Sequence, residues 1–294
     1  MVTIFAIPKP FHNHVGIIQR NAIKSWSLLR PACEIILFGD AGGIKEAADE
    51  FGVRYDDNIM KNEYGTPYIN SVFYRAEQLA KYDLLCYVNC DIILTNDLLK
   101  AVSEAANSFK KHFLLLGRRW NIEIDKPLDF SFGWESRLRG LVDQSGWLEA
   151  PTGIDYFVFK KGLWGNIPPF AVGRTAWDNW LIYKAREQNI PVIDATSVVR
   201  AVHQVHQYFH CQDGKKGVWE GPEAQANLEL AKGFSHLFIL YDSTHIFTST
   251  GIKLALSMKH LKRRFYMSIA LFYDSLKAAW LKYILLKLWR IFKK

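Results

Sequence analysis

The sequence predicts an α/β protein built on a mostly parallel sheet with helices on both faces. Short apolar runs alternate with longer segments of helical periodicity, which is the pattern of that class. One run, Leu84–Val88, is apolar throughout, as expected of a strand that is buried on both faces. Of the 294 residues, 49% are hydrophobic and 22% are charged, which is a globular composition. Collagen-like, low-complexity and disordered chains are therefore excluded.

The predicted strands are apolar runs that end at turn residues. Pro8 and Pro10 follow the first run, and a glycine-rich loop at residues 39–43 follows the second. The strands are residues 2–7, Glu34–Phe38, 53–55, Leu84–Val88, 113–116, 156–159 and 192–195.

The predicted helices lie between these strands. The first covers residues 15–29 and ends before Pro31. The others are Ile44–Phe51, 70–81 and 177–188. Because no internal repeat or long linker interrupts the chain, we expect residues 1–250 to form one domain. Residues 251–294 are predicted to form a separate C-terminal segment of amphipathic helices.

The net charge of +8 is concentrated in that C-terminal segment. Residues 252–294 contain eleven lysines and arginines and a single acid, Asp274, a net of +10 that leaves −2 for residues 1–251. The main body therefore lacks the basic surface that nucleic-acid binding requires, and no nucleic-acid partner is expected.

The end of the chain has the pattern of a basic amphipathic helix. Its cationic side chains fall within one arc of an ideal helix, and apolar side chains occupy the opposite side. This pattern predicts association with an anionic membrane surface, and the alternative is a terminal helix packed on the core with solvated lysines. The cationic residues are Lys282, Lys287, Arg290, Lys293 and Lys294, and the apolar residues are Leu281, Ile284, Leu285, Leu288, Ile291 and Phe292.

The sequence also predicts where the protein resides. The N-terminus lacks the pattern of a secretory leader, and no uncharged apolar run reaches the ~18 residues that span a bilayer. The four cysteines are too few and too scattered for a disulfide framework, which favours a reducing compartment. We expect a cytoplasmic protein that is peripheral on the inner face of the cytoplasmic membrane.

The most informative motif is the run from Tyr87 to Leu94, Tyr-Val-Asn-Cys-Asp-Ile-Ile-Leu. A buried strand delivers Asn89 and Asp91 to its carboxyl end, where ligands bind in open α/β sheets. Both side chains project from the same side of an extended chain and could hold a divalent cation and its diphosphate. The alternative is a strand-end aspartate tied to the next loop, with Asn96 or Asp97 capping the following helix.

This run resembles the metal-binding motif of GT-A glycosyltransferases, which usually reads Asp-x-Asp. Asn89 replaces the first aspartate and so removes one negative ligand. Further pieces resemble a bacterial and viral group of these enzymes, and the resemblance spans roughly residues 2–210. The pieces are Phe38-Gly39-Asp40, Thr66-Pro67, Asn70-Ser71-Val72-Phe73, Leu116-Gly117-Arg118-Arg119-Trp120, Gly153-Ile154-Asp155-Tyr156-Phe157, Pro168-Pro169-Phe170, Gly173-Arg174, Trp177-Asp178-Asn179-Trp180-Leu181 and His203-Gln204-Val205-His206 with Tyr208.

The resemblance implies that Asp178 is the general base of an inverting transfer. Inverting glycosyltransferases need a carboxylate that takes the proton of the acceptor hydroxyl. Asp178 opens a predicted helix, which places it at a helix N-terminus facing the cleft. Its alternative role is a carboxylate that the helix dipole merely stabilises. Asp155 is the competing carboxylate, either as the base or as a contact to the hydroxyls of the acceptor or donor sugar.

The resemblance also implies a divalent cation, Mn²⁺ or Mg²⁺, and a nucleotide-diphosphate-sugar donor. Asp91 with His203 and His206 are the candidate metal ligands, and the histidines could instead contact the diphosphate. Arg119 and Arg174 are candidates for binding the diphosphate, because a guanidinium binds phosphate in a bidentate way. Either arginine could instead form an ordinary ion pair. The candidate nucleotide-sugar contacts are Pro8, Asp40, Asn70, Asn89, Asp91 and Arg119, and the candidate acceptor or sugar contacts are Asp155, Arg174 and Trp177.

The sequence therefore predicts a GT-A glycosyltransferase that moves a sugar to a saccharide or a lipid-linked glycan in cell-surface polysaccharide synthesis. A retaining enzyme of the same fold is the nearest alternative. A non-catalytic module that binds nucleotide sugars or glycans is another, because Asn89 weakens the metal motif. An NTPase and a dinucleotide oxidoreductase are disfavoured, since the loop at residues 39–43 matches neither phosphate-binding glycine motif. A nucleotidyltransferase is disfavoured because no glycine-rich phosphate loop opens the sequence.

Overall fold

The computed structural model describes residues 1–206 and 214–275. Within them, short strands alternate with helices in the first two thirds of the chain, as the sequence pattern predicts. The strands are β1 (Val2–Ala6), β2 (Glu34–Phe38), β3 (Arg54–Asp56), β4 (Leu84–Val88), β5 (Ile92–Ile93), β6 (Leu114–Ile122), β7 (Trp147–Leu148), β8 (Ile154–Lys160), β9 (Val192–Asp194), β10 (Ala201–Gln204), β11 (His245–Thr248) and β12 (Gly251–Leu254).

The helices cover both faces of the sheet. They are α1 (Asn13–Ser27), α2 (Ile44–Phe51), α3 (Ile69–Leu79), α4 (Asp97–Ser108), α5 (Trp134–Ser145), α6 (Trp177–Glu187), α7 (Gly214–Glu220), α8 (Pro222–Leu230) and α9 (Met258–Ser275).

The main sheet has the strand order β12-β11-β9-β6-β8-β4-β1-β2-β3. The pairs β4–β1, β1–β2, β2–β3, β6–β9 and β9–β11 are parallel. Strand β8 lies antiparallel between β4 and β6, and β12 forms an antiparallel hairpin with β11. The predicted class is therefore confirmed: a mixed α/β fold with a mostly parallel sheet flanked by helices.

Strand β6 is longer than predicted and connects two sheets. Its first half pairs with β8 and β9, and its second half continues through Arg119 and Trp120 to pair in parallel with β10. The polar residues in this second half interrupt the apolar run, which explains why the sequence pattern predicted only residues 113–116. The pairing places His203 directly beside Asn121 and opposite Ile92 of β5.

Alternate residues of each central strand feed two different cores. In β1, Phe5 faces a core that includes α3 and α6, whereas Ile4 and Ala6 face the core beneath α1 and α4. The first core is aromatic: Phe5 contacts the rings of Phe73 and Tyr87 edge to face at 5.2 and 5.5 Å. Burial on both sides fixes the strand ends rigidly at the edge where polar side chains gather.

The described residues that follow position 250 continue this body. Strand β12 pairs with β11 across the predicted domain boundary, and Met267 of α9 lies in the first core. The guanidinium of Arg263 donates from Nε to both carboxylate oxygens of buried Asp242, at 3.0 and 2.8 Å. The boundary at residue 250 stays a prediction, and the amphipathic pattern at residues 281–294 lies outside the described residues. Within the described ranges, every helix is either too short or too polar to cross a membrane.

Candidate active site

A cavity of about 940 Å³ opens where the carboxyl ends of β1, β2 and β4 meet, which is the edge where open α/β sheets bind ligands. The loops after these strands line it with Pro8, Lys9, Asp40, Asn89 and Asp91. Residues from β6, β10, the start of α6 and the segment from α7 to the turn after α8 also line the cavity. The cavity therefore collects most of the predicted site residues.

Asp91, His203 and His206 form a candidate metal site. The ligand atoms of the three side chains lie within 4.8 Å of one another. Nε2 of His206 is 3.0 Å from Oδ2 of Asp91, and Nε2 of His203 is 3.9 Å from the same oxygen. The other oxygen of Asp91, Oδ1, is buried without a hydrogen-bond partner within the described structure. An orphaned carboxylate oxygen beside two imidazole nitrogens fits a divalent transition-metal ion such as Mn²⁺.

Asn121 sets the tautomer of His203. Its side-chain nitrogen donates to Oε2 of Glu149 at 2.9 Å, so its oxygen is the atom 2.9 Å from Nδ1 of His203. Nδ1 therefore carries the proton, and Nε2 turns its lone pair toward Asp91. Burial lowers the pKa of His203 to about 4, which keeps this ring neutral at physiological pH. A hydrogen bond on the far ring nitrogen is the usual support of a metal-binding histidine.

The Asp91 carboxyl is ionised. Burial alone would raise its pKa, but the hydrogen bond with His206 and the charge of Lys9 hold the pKa well below its usual range. The ionised carboxylate of Asp91 and the neutral imidazole of His203 are thus in the protonation states that cation binding requires.

Asn89, Asp155 and Arg119 form a second cluster on the cavity wall. Asn89 donates from Nδ2 to one carboxylate oxygen of Asp155, and Arg119 donates to the other oxygen at 2.9 Å. The hydroxyl of Tyr87 donates to the side-chain oxygen of Asn89 at 3.1 Å, and Arg119 also lies 3.5 Å from Glu149. Both oxygens of Asp155 are thus occupied, and so are both polar atoms of the Asn89 amide.

Asp178 lies in the first turn of α6 and lines the cavity. Burial, together with the negative charge of Asp155, raises the pKa of its carboxyl to about 7, against the opposing hydrogen bond from the Asn179 amide. Ala176, just before the helix, has a φ of 86°, a strained conformation for a residue with a Cβ. The carboxyl therefore exchanges its proton near neutral pH, as a general base must.

Of the remaining predicted donor and acceptor contacts, all but one line the cavity. Pro8 lines the cavity, and Asp40 lies at its rim in an ion pair with Lys61. Arg174 also lines it, but its guanidinium pairs with the carboxylate of Glu223 at 2.5 Å. Trp177 is 4% exposed and packs edge to face on Tyr87 with ring centroids 5.3 Å apart. Asn70 lies in the first turn of α3 and is not among the described residues that line the cavity.

Sequence reasoning missed several cavity residues. Lys9 reaches the metal cluster from the strand end at which only Pro8 was predicted, and a lysine between two prolines was the available signal. Three exposed aromatic residues on the cavity also went unpredicted, because they lie in segments without a clear periodic pattern. They are Tyr64, Trp219 and Phe234, which are 61%, 55% and 77% exposed.

Comparisons with known proteins give structural neighbours only. No family model matches the chain, and no curated protein does. TarS residues 1–349 from S. aureus, in complex with UDP-GlcNAc, is 12% identical with a TM-score of 0.33, over 42% of this chain and 35% of that one. The mannosyltransferase PcManGT from Pyrobaculum calidifontis, in complex with GDP-Man and Mn²⁺, is 14% identical with a TM-score of 0.44, over 70% and 57%.

A third solved structure is covered more completely. Glucosyl-3-phosphoglycerate synthase from Mycobacterium tuberculosis, in complex with phosphoglyceric acid, is 13% identical with a TM-score of 0.47, over 81% of this chain and 80% of that one. The chain thus spans less than two thirds of the first two neighbours. All three are nucleotide-sugar glycosyltransferases, the class that the sequence motifs resemble. With TM-scores below 0.5, the residues of the cavity themselves carry the functional assignment.

Proposed function

We propose that this protein is an inverting glycosyltransferase that moves a sugar from a nucleoside-diphosphate donor to a hydroxyl of a saccharide or lipid-linked acceptor. One observation carries the proposal. A single cavity holds a carboxyl group with a pKa of about 7, Asp178, together with the Asp91–His203–His206 cluster. The first can accept a proton, and the second can hold a cation against a departing diphosphate.

Asp178 acts on the acceptor. Its carboxylate takes the hydroxyl proton as the acceptor oxygen bonds to the anomeric carbon, while the bond from that carbon to the diphosphate oxygen breaks. The proton ends on Asp178, and the electron pair of the broken bond leaves with the nucleoside diphosphate. A base whose pKa lies near the working pH is the most effective one for this transfer.

Asp91, His203 and His206 would hold the divalent cation. When bound, such an ion neutralises the charge that develops on the departing diphosphate. The protein prepares for it by keeping Asp91 ionised, by leaving Oδ1 of Asp91 unbonded, and by fixing the tautomer of His203 through Asn121. Mn²⁺ suits this mixed nitrogen and oxygen set better than Mg²⁺, which prefers oxygen ligands.

The state of Asp155 favours Asp178 as the base and inversion over retention. Hydrogen bonds and ion pairs to a carboxylate compete for its lone pairs, so a carboxylate held by strong donors on both oxygens is a poorer base or nucleophile. Both oxygens of Asp155 accept hydrogen bonds, one from Asn89 and the other from Arg119. Asp155 is thus suited to bracing the wall of the cavity rather than to chemistry.

The exposed aromatic rings support a saccharide acceptor. Trp219 of α7 and Phe234 after α8 line the same cavity as Arg174, whose guanidinium pairs with Glu223. A pyranose ring presents an apolar C–H face that packs on an aromatic ring, while its hydroxyls bind neighbouring charged groups. Large exposed aromatic residues in a cleft are typical of such ligand surfaces.

Helix α9 supports a peripheral position on the inner face of the cytoplasmic membrane. Met267 and His260 face the body of the protein, whereas the opposite side exposes apolar residues with lysines beside them. Apolar side chains flanked by cations are the pattern of an interfacial helix on anionic lipid. On α9 the exposed apolar residues are Met258, Leu261, Phe265 and Phe272, and the exposed lysines are Lys259 and Lys262. Lys253, Leu254 and Leu256 are exposed just before the helix. This position would suit polysaccharide synthesis on lipid-linked precursors.

A donor screen tests the proposal. The protein is incubated with Mn²⁺ and a panel of UDP-, GDP-, CDP- and dTDP-sugars, and release of nucleoside diphosphate is measured with and without saccharide acceptors. We expect release with at least one donor, and NMR of the product should show an inverted anomeric centre. A retained centre would favour the retaining alternative. Tight donor binding without release would favour the non-catalytic module.

A further inference from the structure

We propose that Lys9 binds the diphosphate of the donor, beside the cation site, and that Gln19 positions it there. This inference rests on the proposed function, because it assigns a contact to the same donor. It adds the side chain of Lys9, whereas the sequence indicated only the backbone from Pro8 onward as a nucleotide contact.

The backbone of Lys9 is held unusually firmly. Oε1 of Gln19 accepts a hydrogen bond from the Lys9 amide at 2.6 Å, and Nε2 of Gln19 donates to the Lys9 carbonyl at 2.8 Å. Gln19 is 2% exposed on α1, so one buried amide satisfies both backbone groups of Lys9. Pro8 and Pro10 on either side restrict the backbone further. The side chain of Lys9 therefore leaves the chain at a fixed point.

From that point the side chain extends to the metal cluster. Its Nζ lies 3.3 Å from Nε2 of His206 and 3.9 Å from Oδ2 of Asp91. Nε2 of His206 also faces that carboxylate oxygen at 3.0 Å. One ring nitrogen cannot both donate to Asp91 and accept from Lys9, so only one of these two contacts is a hydrogen bond at a time. The ammonium group of Lys9, with three donors, is therefore poorly satisfied by its neighbours.

The other cationic side chains that line the described cavity are already paired. Lys61 pairs with Asp40, Arg119 with Asp155 at 2.9 Å, and Arg174 with Glu223 at 2.5 Å. Lys9 differs: among the described residues its nearest carboxylate contact is Asp91 at 3.9 Å, and it donates no hydrogen bond to any carboxylate of these residues.

An ammonium group placed in a cavity with few acceptors needs an anionic partner. The donor brings one, since its diphosphate must lie beside the cation that Asp91 would hold. Lysine is a common phosphate ligand that acts as a compact point charge. Contact with Lys9 would place a positive charge beside the departing diphosphate, in addition to that of the cation.

Binding of inorganic pyrophosphate tests the inference without knowledge of the donor base. Isothermal titration calorimetry is performed with pyrophosphate in the presence of saturating Mn²⁺ on the wild type, Lys9→Met and Lys160→Met. Lys160→Met is the matched control, because this substitution removes the same charge from the opposite edge of the sheet. Lys160 lies there beside Leu84, at the start of β4. We expect the dissociation constant to rise about 10- to 100-fold in Lys9→Met, as for loss of a charge-assisted contact. It should change less than about threefold in the control.

Binding of Mn²⁺ alone separates a ligand contact from a purely structural ion pair. If Lys9 served only to neutralise Asp91, Lys9→Met would change the affinity for Mn²⁺. At saturating Mn²⁺ the variant and the wild type would then bind pyrophosphate equally well. Gln19→Leu should weaken pyrophosphate binding less than Lys9→Met does, since it loosens the lysine without removing it. A thermal melt confirms that each variant is folded.

Two outcomes overturn the inference: wild type that does not bind pyrophosphate, or a folded Lys9→Met that binds it within threefold of wild type. The proposed function fails separately, in the donor screen. Nucleoside diphosphate release by wild type together with unchanged pyrophosphate binding in Lys9→Met would reject Lys9 alone.

Discussion

The side-chain amide of Asn89 donates a hydrogen bond to the carboxylate of Asp155. Its oxygen accepts from the hydroxyl of Tyr87 at 3.1 Å, so the amide acts as donor and acceptor at once. An aspartate at this position could accept from Tyr87 but would face Asp155 as a second negative charge. The asparagine that departs from the Asp-x-Asp pattern is thus the residue that this wall requires, and Asp91 is left as the carboxylate of the cation site.

Asn89→Asp should destabilise the protein increasingly as pH rises. Two carboxylates at hydrogen-bond distance can share a proton at low pH, but both cannot ionise without strong repulsion. We expect a loss of about 1–3 kcal/mol in the free energy of unfolding at pH 8 and a smaller loss at pH 5, measured by urea denaturation. Asn89→Ala removes the hydrogen bond without adding charge and is the control, with a loss that varies little with pH. Equal stability of Asn89→Asp and wild type at pH 8 would show that the amide contact is unimportant.

Asp91→Asn should abolish Mn²⁺ binding while the protein stays folded. The amide supplies no charge and has only one oxygen, so the site loses its single anionic ligand. Asn121→Leu tests the support of His203: the ring loses its Nδ1 partner, and Mn²⁺ affinity should fall about 10- to 100-fold. Calorimetry with Mn²⁺, and with Mg²⁺ and Fe²⁺ for comparison, measures both effects. Unchanged Mn²⁺ affinity in Asp91→Asn would place the cation elsewhere.

The sequence predicted the elements whose signal is local. The strands β1, β2 and β4 and the helices α1, α2, α3 and α6 were predicted within about two residues of their ends, because each combines apolar periodicity with a proline, glycine or polar stop. Helix α4 has a comparable pattern, with Leu98, Ala101, Val102 and Ala105 buried, yet it was anticipated only as the helix that Asn96 or Asp97 would cap, without bounds. The hairpin β11–β12 depends on pairing with a distant strand, β9, and its sequence alone did not indicate it.

The site could be predicted only in part for the same reason. The motif run indicated Asp91, and the resemblance indicated Asp178, His203 and His206. The structure brings the two histidines together with Asp91. Partners were beyond reach, because hydrogen bonds such as Arg119 to Asp155 and Arg174 to Glu223 join residues 36 and 49 positions apart. Spacing says nothing about such pairs. The same limit hid Lys9, whose significance depends on Gln19 and on the occupied state of the other cations.

Trp219→Ala should weaken binding of the acceptor but not binding of the donor. Loss of the stacking contact should cost about 1–2 kcal/mol of acceptor binding free energy. The KM for the acceptor should therefore rise roughly tenfold, whereas kcat stays within about threefold. Transfer kinetics with the best saccharide of the acceptor panel measure both constants, and acceptor-free donor hydrolysis should be unchanged. Phe132→Ala is the control, since Phe132 is fully exposed outside the lining of the cavity. A change confined to donor hydrolysis would remove Trp219 from the acceptor side.

Leu256→Glu combined with Leu261→Glu should release the protein from anionic vesicles. Both side chains are about half exposed, Leu256 just before α9 and Leu261 on the exposed side of the helix. Each glutamate would remove apolar area from the lipid interface and add repulsion from anionic lipid. Sedimentation with phosphatidylglycerol vesicles should show at least tenfold weaker binding than wild type, while donor hydrolysis is retained. Phe132→Glu is the matched control. Deletion of residues 276–294 then tests the C-terminal basic pattern without disturbing Met267 in the core. Unchanged sedimentation of both variants would argue against a membrane role.

Asp178→Asn tests the mechanism where it is most exposed, since the amide keeps the shape of the carboxylate but cannot accept a proton. We expect kcat for transfer to fall by roughly 10²–10⁴, with binding of the donor retained. The wild-type rate should rise with pH and level off above about 7, where burial sets the pKa of Asp178, and the variant should lose that dependence.

Stability should respond in the opposite sense. Because the folded pKa is raised above its ordinary value of 3.8, the neutral carboxyl contributes stability that is lost as pH rises through 7. Asp178→Asn should therefore melt at a higher temperature than wild type at pH 8 and at a similar temperature at pH 4. Asp155→Asn is the comparison, since it removes a carboxylate from the same cavity. If transfer survives in Asp178→Asn and its pH profile is unchanged, Asp178 is a structural residue at the start of α6, and Asp155 becomes the candidate base.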